Sequence, residues 1–509
     1  MSAATPFGDG ASGAGSAIQR LCPARSGPPR LADVTTAQTP ALPGSLGDLS
    51  VLVLGTGVSG RSMASWCRRQ GARVVVADPR GAGPEVPCLA GIDAVLMSPG
   101  ISPRGPDAAP VLAAAAAAGI PVASELDLFA AALAKLAASS GYAPEVVAIT
   151  GTNGKTTTTA LTAALLNASG RRRARVAGNI GPALMDELSA ALDDDALPDT
   201  WVLELSSFQL SYGRNFAASV GVLLNVTPDH LDWHGGFADY ERVKLTVLTT
   251  SAKAIVCRED VAGPRPPAST GTAPTTTTFG IGVPHAVGDY GVSSAGPTRW
   301  LVQRGTDGRL DPIVAVESLR ITGDHLLLDA LAAVAVVDAT CGRTAATVDA
   351  LVAYEGEAHR NQLVARSGSG VLFVDDGKAT NVAAVCAALA ARGTGGQAIL
   401  ILGGEGKGQS FLGLRDAVAT HARHVLTLGR AAAQIEQDLS DAGVPLERVG
   451  SLPTAVDRAW ELARPGDVVL LSPACASTDA FADYTERSAC FRAAVHAIVT
   501  PEGVEAGGP

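Results

Sequence analysis

A glycine-rich stretch with a single lysine carries the strongest chemical signal in this sequence. Residues 150–157 read TGTNGKTT and follow an apolar run. In such a loop the glycines let backbone N–H groups converge on phosphate oxygens, Lys155 supplies a charge for the outer phosphates, and Thr156 places a hydroxyl where Mg²⁺ would bind. The full Walker pattern is not met, because its first glycine would fall at Ile149. The stretch therefore predicts a shortened phosphate loop, and the alternative is an ordinary turn from strand to helix.

Polar residues also follow two later apolar runs. Glu204 ends the run TWVLE, and a carboxylate there is costly to bury unless it is paired or binds a cation. We interpret it as a Mg²⁺ ligand, with a solvated strand end as the alternative. Residues 225–234 read NVTPDHLDWH, and polar groups just past a strand are placed as in open α/β active sites. Their two histidines and two aspartates also allow a zinc site, which is the weaker interpretation because no orienting partner can be named.

A second glycine motif lies nearer the start of the chain. Residues 51–60 read VLVLGTGVSG, with Gly55, Gly57 and Gly60 in the spacing G-x-G-x-x-G. This spacing lets a backbone approach a pyrophosphate at a helix N-terminus. Together with Asp78 after the next strand, it permits an NAD-dependent oxidoreductase. That interpretation leaves the later motifs unexplained.

These motifs lie in a pattern of alternating strands and helices. Short apolar runs that alternate with helical stretches predict parallel sheets covered by helices. The sequence therefore predicts an α/β protein of three domains: a Rossmann-like domain, a central P-loop ATPase-like domain and a C-terminal Rossmann-like α/β domain. The predicted boundaries are 47–143, 144–356 and 357–500, with disordered segments at 1–46 and 501–509 and irregular β structure at about 258–312.

The composition limits the possible partners. The chain has 509 residues, 39 Lys and Arg against 49 Asp and Glu, and a net charge of −10. Without a long basic run, this balance argues against nucleic-acid binding by bulk electrostatics. Eight cysteines without a C-x-x-C pair are typical of buried thiols in a reducing compartment. No uninterrupted apolar run is long enough for a bilayer, so we expect no membrane partner and a cytoplasmic location. We also expect a monomer.

Eight motifs occur in the order found in the Mur ligases of peptidoglycan synthesis. They are TGTNGKTT, NIG at 179–181, LELSSFQL, NVTPDHLDWH, AHRNQ, DDGKATN, LGGEGKG and LSPACASTDAF. The chain resembles this family over about residues 47–500. The resemblance implies that ATP phosphorylates a carboxylate and that an amine then displaces the phosphate. The segments GTGVSG, GGEGKG and SPACAS point to UDP-N-acetylmuramoyl-L-alanine as the carboxylate substrate and to D-glutamate as the amine.

The resemblance also implies roles for individual residues. ATP would be held by Gly151, Thr152, Asn153, Gly154, Lys155, Thr156, Thr157, Asp329, Arg360 and Asp376. Mg²⁺ would be bound by Thr156, Glu204, His230 and Lys244, the last as a carbamate, and Lys155, His230 and Lys244 would act in catalysis. The UDP-linked substrate would contact Val58, Ser59, Asp78, Arg80, Ser98, Gly100 and Asn179. D-Glutamate would contact Lys378, Thr380, Lys407, Ser477, Thr478 and Tyr484.

Four positions depart from the family pattern. Gly377 stands where the family usually has serine, Leu326 and Asp329 where it usually has asparagine, and Tyr484 where a phenylalanine is usual. Asp329 can still accept a hydrogen bond from an adenine amino group, so ATP remains the expected nucleotide. The rival interpretations are another Mur-type ligase, a folylpolyglutamate synthase, a non-catalytic nucleotide-binding module and the NAD-dependent oxidoreductase.

Overall fold

The part of the chain that can be described comes from a computed structural model. It comprises residue 42 and residues 46–78, 89–106, 108–213, 215–259, 275–321, 323–391 and 397–499. The predicted disordered segments 1–46 (apart from residues 42 and 46) and 501–509 lie outside the described residues, and so does Arg80.

The first sheet is parallel and has the order β2-β1-β3-β4. Apolar strand β1 leads through the GTGVSG turn into helix α1, and a side chain on Gly60 would collide with the carbonyl of Gly55. The turn therefore needs glycine at this position so that helix and strand can approach closely. Its elements are β1 (Ser50–Leu54), α1 (Val58–Arg69), β2 (Arg73–Ala77), β3 (Ala94–Met97), α2 (Ala109–Ala118), β4 (Val122–Ala123) and α3 (Glu125–Ser140).

The second sheet is also parallel, with the order β10-β9-β8-β5-β7-β6. Its central strands are buried almost throughout, as expected for a sheet covered on both faces. Its elements are β5 (Glu145–Thr150), α4 (Lys155–Ala168), β6 (Ala174–Gly178), α5 (Leu184–Asp193), β7 (Thr200–Glu204), α6 (Ser207–Tyr212), β8 (Ala218–Leu223), α7 (Leu231–His234), α8 (Phe237–Thr249), β9 (Ser251–Cys257) and β10 (Thr275–Phe279).

A small antiparallel sheet follows in the stretch predicted as irregular β structure at about 258–312, and its strands pair more regularly than expected. Strands β11 (Tyr290–Ala295), β12 (Thr298–Arg304) and β13 (Leu310–Ala315) pair in sequence order. Their tight turns and exposed polar ends hide the alternation of apolar residues, which is the usual strand signal. Helices α9 (Asp324–Thr340) and α10 (Ala345–Ala353) come next, and α9 is apolar on nearly all sides because it packs between α4 and the sheet.

The third large sheet has the order β14-β15-β19-β16-β17-β18, with only β14 antiparallel. Its elements are β14 (Gln362–Arg366), β15 (Leu372–Asp375), α11 (Val382–Ala390), β16 (Ala398–Gly403), α12 (Arg415–His421), β17 (Ala422–Leu428), α13 (Ala432–Leu439), β18 (Leu446–Arg448), α14 (Leu452–Leu462), β19 (Val468–Leu471) and α15 (Tyr484–Ile498). Among the described residues, no helix is both long and apolar enough to cross a bilayer.

A loop after β3 joins the first sheet's unit to the second. Arg104 forms an ion pair of 2.6 Å with Asp239 and also donates to the carbonyl of His234. Nearby, the hydroxyl of Ser102 donates to the carbonyl of Trp233 at 3.1 Å. The loop is therefore attached to the segment that follows the NVTPDH motif.

Candidate active site

The phosphate loop connects strand β5 to helix α4, as the sequence predicts. Gly154 precedes the helix with a φ of 82°, a conformation that glycine adopts without strain. The ammonium of Lys155 folds back over the loop and donates to the carbonyls of Gly151 and Thr152, at 2.8 Å each. Burial lowers the pKa of Lys155, while Glu204 opposes this shift. A cation and a helix N-terminus thus face the same space, which suits phosphate.

The hydroxyl of Thr156 lies at the centre of a polar network. It donates to Oε2 of Glu204 at 2.9 Å and accepts from the ammonium of Lys378 at 2.8 Å. The other oxygen of Glu204 accepts from the side-chain amide of Asn179 at 2.7 Å. Glu204 is only 1% exposed, so the alternative of a solvated strand end is wrong. Four residues from four separate motifs therefore meet within hydrogen-bond distance.

Lys244 lies beneath the phosphate loop and is not the exposed helical lysine that its sequence context suggests. It is 1% exposed, and its ammonium donates to the carbonyl of Gly151 at 2.7 Å. The same group lies 4.9 Å from the ring centre of Tyr240. Burial, followed by the nearby charge of Lys155, holds the pKa of Lys244 well below its usual range. The site therefore favours the neutral amine of this lysine.

His230 directly precedes the short helix α7 and has a φ of 52°. Its Nε2 lies 3.6 Å from a carboxylate oxygen of Asp229, and its ring packs at 4.7 Å against Phe208. Loss of contact with water lowers the pKa of His230, although Asp229 opposes the shift. A neutral imidazole in this position has a nitrogen that a metal or a proton could use.

The oxygen atoms of Thr156 and Glu204 fit Mg²⁺, which prefers oxygen ligands and keeps several of its own waters. The zinc alternative finds no such support, because within the described ranges no three His, Cys, Asp or Glu side chains gather as a ligand set. His234, one of its candidate ligands, is instead buried and lies 2.9 Å from the hydroxyl of Ser207. Burial lowers its pKa to about 4.

A cavity of about 470 Å³ opens between the phosphate loop and helices α9 and α11. It brings together most of the residues that the resemblance assigns to ATP and several of those assigned to the metal and to D-glutamate. Those that line it are Thr152, Asn153, Gly154, Lys155, Thr156, Thr157, Asn179, Glu204, His230, Asp329, Arg360, Asp376, Lys378, Thr380 and Tyr484. Gly151 and Lys244 lie just behind this wall, in contact with each other.

Asp329 and Arg360 occupy the part of the cavity next to α9. Asp329 accepts from the hydroxyl of Thr158 at 3.0 Å, and its carboxylate fills the space beside Gly154. Burial raises the pKa of Asp329 to about 7, and the charge of Arg360 limits the rise. Nε of Arg360 is buried and, within the described residues, has no hydrogen-bond partner. An anionic ligand would satisfy it.

Asp376 is held at the opposite wall of the cavity. One of its carboxylate oxygens accepts from the hydroxyl of Ser472 at 2.7 Å, and the other accepts from the backbone of Asn361 at 3.2 Å. The carboxylate is thereby fixed in orientation while its residue still lines the cavity.

The residues assigned to D-glutamate are only partly brought together. The ammonium of Lys378 lies 5.4 Å from the ring centre of Tyr484, and burial lowers the pKa of Lys378 to about 8. Thr380 lines the same cavity. By contrast, Lys407, Ser477 and Thr478 do not line it: Lys407 and Thr478 are exposed, and Ser477 is buried.

Five of the residues assigned to the UDP-linked substrate follow the strands of the first sheet, whereas Asn179 lines the cavity and Arg80 lies outside the described residues. The five are Val58, Ser59, Asp78, Ser98 and Gly100. Val58 is 61% exposed at the start of α1, with Ser59 beside it, and Gly100 is exposed after β3. The hydroxyl of Ser98 is buried and has no hydrogen-bond partner in the described part of the chain. Asp78 accepts from the hydroxyl of Thr56 at 2.8 Å, which ties the glycine turn to the end of β2.

Sequence reasoning missed Asn225 and Asn381, two asparagines that hold Asn153 of the phosphate loop. The side chains of Asn153 and Asn381 exchange hydrogen bonds at 3.1 and 3.4 Å. Asn225 also holds Asn153, accepting from its backbone at 2.8 Å and donating back at 3.1 Å. Asn225 opens the NVTPDH motif and Asn381 closes DDGKATN, so their places in these motifs were the available signal.

Comparison with known proteins shows the family and the fold to which this chain is similar. The chain matches the Mur ligase middle domain over residues 149–337 and the Mur ligase glutamate ligase domain over residues 359–475. A solved UDP-N-acetylmuramate-alanine ligase from Thermotoga maritima is 18% identical with a TM-score of 0.54, covering 88% of this chain and 99% of that one. MurF from Acinetobacter baumannii is also 18% identical, with a TM-score of 0.54 over 84% of this chain and 87% of its own. At this identity both show the fold alone.

Two curated relatives are much more similar in sequence. UDP-N-acetylmuramoylalanine–D-glutamate ligases from Burkholderia mallei (strain SAVP1) and Burkholderia pseudomallei (strain K96243) are each 44% identical, over 89% of this chain and 98% of the relative. The fold and the site define an ATP-dependent ligase of the Mur type. Within that class, the chain belongs to the UDP-N-acetylmuramoylalanine–D-glutamate ligase family. The resemblance inferred from the eight motifs and the predicted three-domain α/β fold are both confirmed.

Proposed function

We propose that this chain uses ATP to join D-glutamate to the L-alanyl carboxylate of UDP-N-acetylmuramoyl-L-alanine during peptidoglycan precursor synthesis. The observation that carries the proposal is the hydrogen bond from Lys378, in the third sheet's unit, to Thr156 of the phosphate loop, which in turn donates to Glu204. A phosphate-binding loop and a candidate amino-acid site are thus in direct contact. The names of the 44% identical relatives support the choice of substrates.

The reaction requires an activated carboxylate, because a free carboxylate is a poor electrophile. In the first step an oxygen of the L-alanyl carboxylate attacks the γ-phosphorus of ATP, and the bond to the β–γ bridging oxygen breaks to release ADP. The amine of D-glutamate then attacks the carbonyl carbon of the acyl phosphate. The tetrahedral intermediate expels phosphate and leaves the amide. Such a reaction relies mainly on positioning and charge neutralisation by the protein.

The phosphate loop performs the charge neutralisation in this proposal. Lys155 stabilises the charge on the transferred phosphoryl group, and the N-terminus of α4 holds the phosphates. Thr156, Glu204 and His230 hold Mg²⁺, which supplies further positive charge at the phosphate oxygens when it is bound. Asn179 orients Glu204 through their hydrogen bond of 2.7 Å and lies where the reacting carboxylate would enter.

The cavity between α9 and α11 holds the rest of ATP. Asp329 contacts the adenine, Asp376 the ribose and Arg360 the γ-phosphate; all three residues line this cavity. The D-glutamate carboxylates are held by Lys378 and Thr380 beside Tyr484, while Lys407, Ser477 and Thr478 approach them from outside the cavity. Two cations and several hydroxyl groups suit a dicarboxylate.

Lys244 contributes to the metal site as a carbamate. The supporting observation is that the pKa of Lys244 is held well below its usual range. A lysine with a lowered pKa is more often the neutral amine, whose nitrogen electron pair can attack CO₂. Addition of CO₂ to the neutral Nζ and loss of one proton give an anionic carbamate, which places an oxygen ligand beneath the loop where the amine was.

The first sheet's unit holds the uridine diphosphate. The GTGVSG turn presents Val58 and Ser59 at the N-terminus of α1, and Ser98 offers a buried hydroxyl beside it. We also propose the boundaries 47–143, 144–356 and 357–500 for the three domains. The enzyme works as a monomer in the cytoplasm, where both nucleotide substrates are available.

The test is a phosphate-release assay with ATP, Mg²⁺ and UDP-N-acetylmuramoyl-L-alanine. We expect turnover when D-glutamate is added and none with L-glutamate, L-alanine or L-lysine. L-Glutamate is the matched control, since it differs only in configuration. Turnover with another amino acid, or none with D-glutamate, contradicts the proposal. Quenching of nicotinamide fluorescence without ATP turnover would favour the oxidoreductase instead.

A further inference from the structure

Gly377 lies directly before Lys378 and is surrounded by three buried polar side chains. Its N–H donates to Oδ1 of Asp375 at 2.9 Å, and its carbonyl accepts from Nη2 of Arg487 at 2.9 Å. The hydroxyl of Ser488 donates to the same Oδ1 at 2.8 Å. Asp375 and Ser488 are 0% exposed, and Arg487 is 2% exposed. The backbone N–H and the carbonyl of Gly377 are therefore each hydrogen-bonded to a buried, ionisable side chain.

Asp375 connects this arrangement to the next loop. Its second carboxylate oxygen lies 2.8 Å from Nδ1 of His359, which directly precedes Arg360. The carbonyl of His359 in turn accepts from the backbone N–H of Lys378 at 3.2 Å. One buried carboxylate therefore contacts both the segment that contains Gly377 and the segment that contains His359.

Arg487 holds a third loop in place. Besides the carbonyl of Gly377, its Nη2 donates to the carbonyl of Cys475 at 3.1 Å. Its Nε and Nη1 are buried and lack hydrogen-bond partners within the described residues. Burying guanidinium N–H groups without hydrogen-bond partners costs free energy of folding. Stabilisation of the fold alone is therefore a poor explanation for an arginine at position 487.

Ser488 determines which residue can stand at 377. The φ of Gly377 is not in the left-handed region, so its backbone does not require glycine. A Cβ atom there would, however, clash with the hydroxyl oxygen of Ser488. A side chain at 377 would force Ser488 to rotate and to release Asp375. The serine expected at 377 from the family resemblance would therefore displace the Ser488 hydroxyl, which in this chain donates to Asp375 from helix α15.

We propose that Asp375, Ser488 and Arg487 are positioning residues for the amino-acid end of the active site. They hold Gly377 so that Lys378 points between the ring of Tyr484 and the hydroxyl of Thr156. None of the three lines the cavity, so they act through Lys378 and not on the substrate. The inference rests on the proposed function, because D-glutamate is the ligand for which Lys378 is positioned.

The test is a double-mutant cycle of Gly377→Ser and Ser488→Gly. For Gly377→Ser we expect the KM for D-glutamate to rise at least about tenfold, with the KM for ATP within about threefold of wild type. In the double variant the new serine has room and its Cβ lies near Oδ1 of Asp375, so the KM for D-glutamate returns to within about threefold. Ser488→Ala is the control for the hydroxyl alone and gives a smaller rise than Gly377→Ser.

The outcomes separate this inference from the proposed function. If the wild-type enzyme shows no turnover with D-glutamate, the proposed function fails. If wild type is active, the inference is overturned by an unchanged KM in Gly377→Ser, by a double variant no better than the single one, or by an equal loss in the two KM values. Should Gly377→Ser fail to fold, Asp375→Asn replaces it. This variant keeps the shape but loses one acceptor oxygen, and the same selective rise in KM is required of it.

Discussion

The ammonium of Lys378 donates a hydrogen bond of 2.8 Å to the hydroxyl of Thr156, although the two residues are 222 positions apart. Thr156 lies in the first turn of α4, and Lys378 lies in the loop after β15. The neighbouring Asn153–Asn381 pair bridges the same gap. The phosphate loop and the candidate amino-acid site therefore share one hydroxyl.

Lys155→Ala should lower kcat at least about a hundredfold. The ammonium of Lys155 supplies positive charge at the loop, and such stabilisation of a developing phosphoryl charge is worth a few kcal/mol. Steady-state phosphate release measures the effect. Lys135→Ala is the control, because Lys135 is an exposed lysine on α3 that contacts only Gln70 in the hydrogen bonds described. Near-normal turnover in Lys155→Ala would show that the phosphate loop takes no part in the mechanism.

Glu204→Gln should raise the Mg²⁺ concentration needed for half-maximal activity about tenfold or more. Glutamine keeps the shape and can still accept from Thr156, but it lacks the charge that holds a divalent cation. The measurement is activity against Mg²⁺ at saturating substrates. Glu461→Gln, at a surface ion pair with Arg458, should leave the Mg²⁺ dependence unchanged. A lower kcat with an unchanged Mg²⁺ requirement would show that Glu204 does not bind the metal.

Lys244→Met should abolish a carbamate signal and lower kcat by about a hundredfold. With its pKa held well below the usual range, Lys244 is neutral enough to react with CO₂. Wild-type enzyme supplied with ¹³C-bicarbonate should therefore show one carbamate carbon by NMR, and Lys253→Met, at a lysine exposed on β9, should retain it. Absence of the signal in wild type with nucleotide and Mg²⁺ present would exclude the carbamate.

Asp329→Asn should remove a pH dependence of stability. Because the pKa of Asp329 is raised to about 7 from 3.8, the folded state binds more protons than the unfolded state between these values. The free energy of unfolding should therefore fall as pH rises from about 4 to about 7, by up to a few kcal/mol. Urea unfolding at several pH values measures this slope. An identical slope in wild type and Asp329→Asn would contradict the prediction.

The same substitution should also tighten ATP binding above pH 7. An ionised Asp329 can only accept hydrogen bonds, whereas asparagine can both accept and donate to an adenine edge at every pH. We expect a lower KM for ATP in Asp329→Asn at pH 8 and little difference at pH 6. A KM that rises in the variant at both pH values would count against adenine contact at this position.

The elements that carry the site were predictable because their signals are local. Strand β5 and the start of α4 follow from an apolar run, a glycine turn and a helical stretch that adjoin in sequence. Glu204 and His230 could be found because each follows a buried strand. Their convergence follows from the parallel sheet, whose strands β5, β7 and β8 end at one edge.

What could not be predicted depends on contacts between distant segments. The bond between Asn153 and Asn381 requires knowledge of how two sheets' loops dock, and the bond between Ser488 and Asp375 joins residues 113 positions apart. The burial of Lys244 could not be predicted either, because the periodicity of a helix does not show which neighbouring element covers a given lysine. The family resemblance supplied Lys244 as a site residue, but only the three-dimensional arrangement shows which residues surround it.

The contacts of Arg104 also bear on how such enzymes can be recombined. Arg104 belongs to the loop after β3, yet its ion pair with Asp239 and its bond to the carbonyl of His234 lie in another unit. A chimera that exchanged the first unit alone would bring a foreign loop against the segment between His230 and Lys244. Successful crossovers should therefore carry residues 101–104 and 233–239 from the same parent, so these two segments form one unit of inheritance despite their distance in the chain.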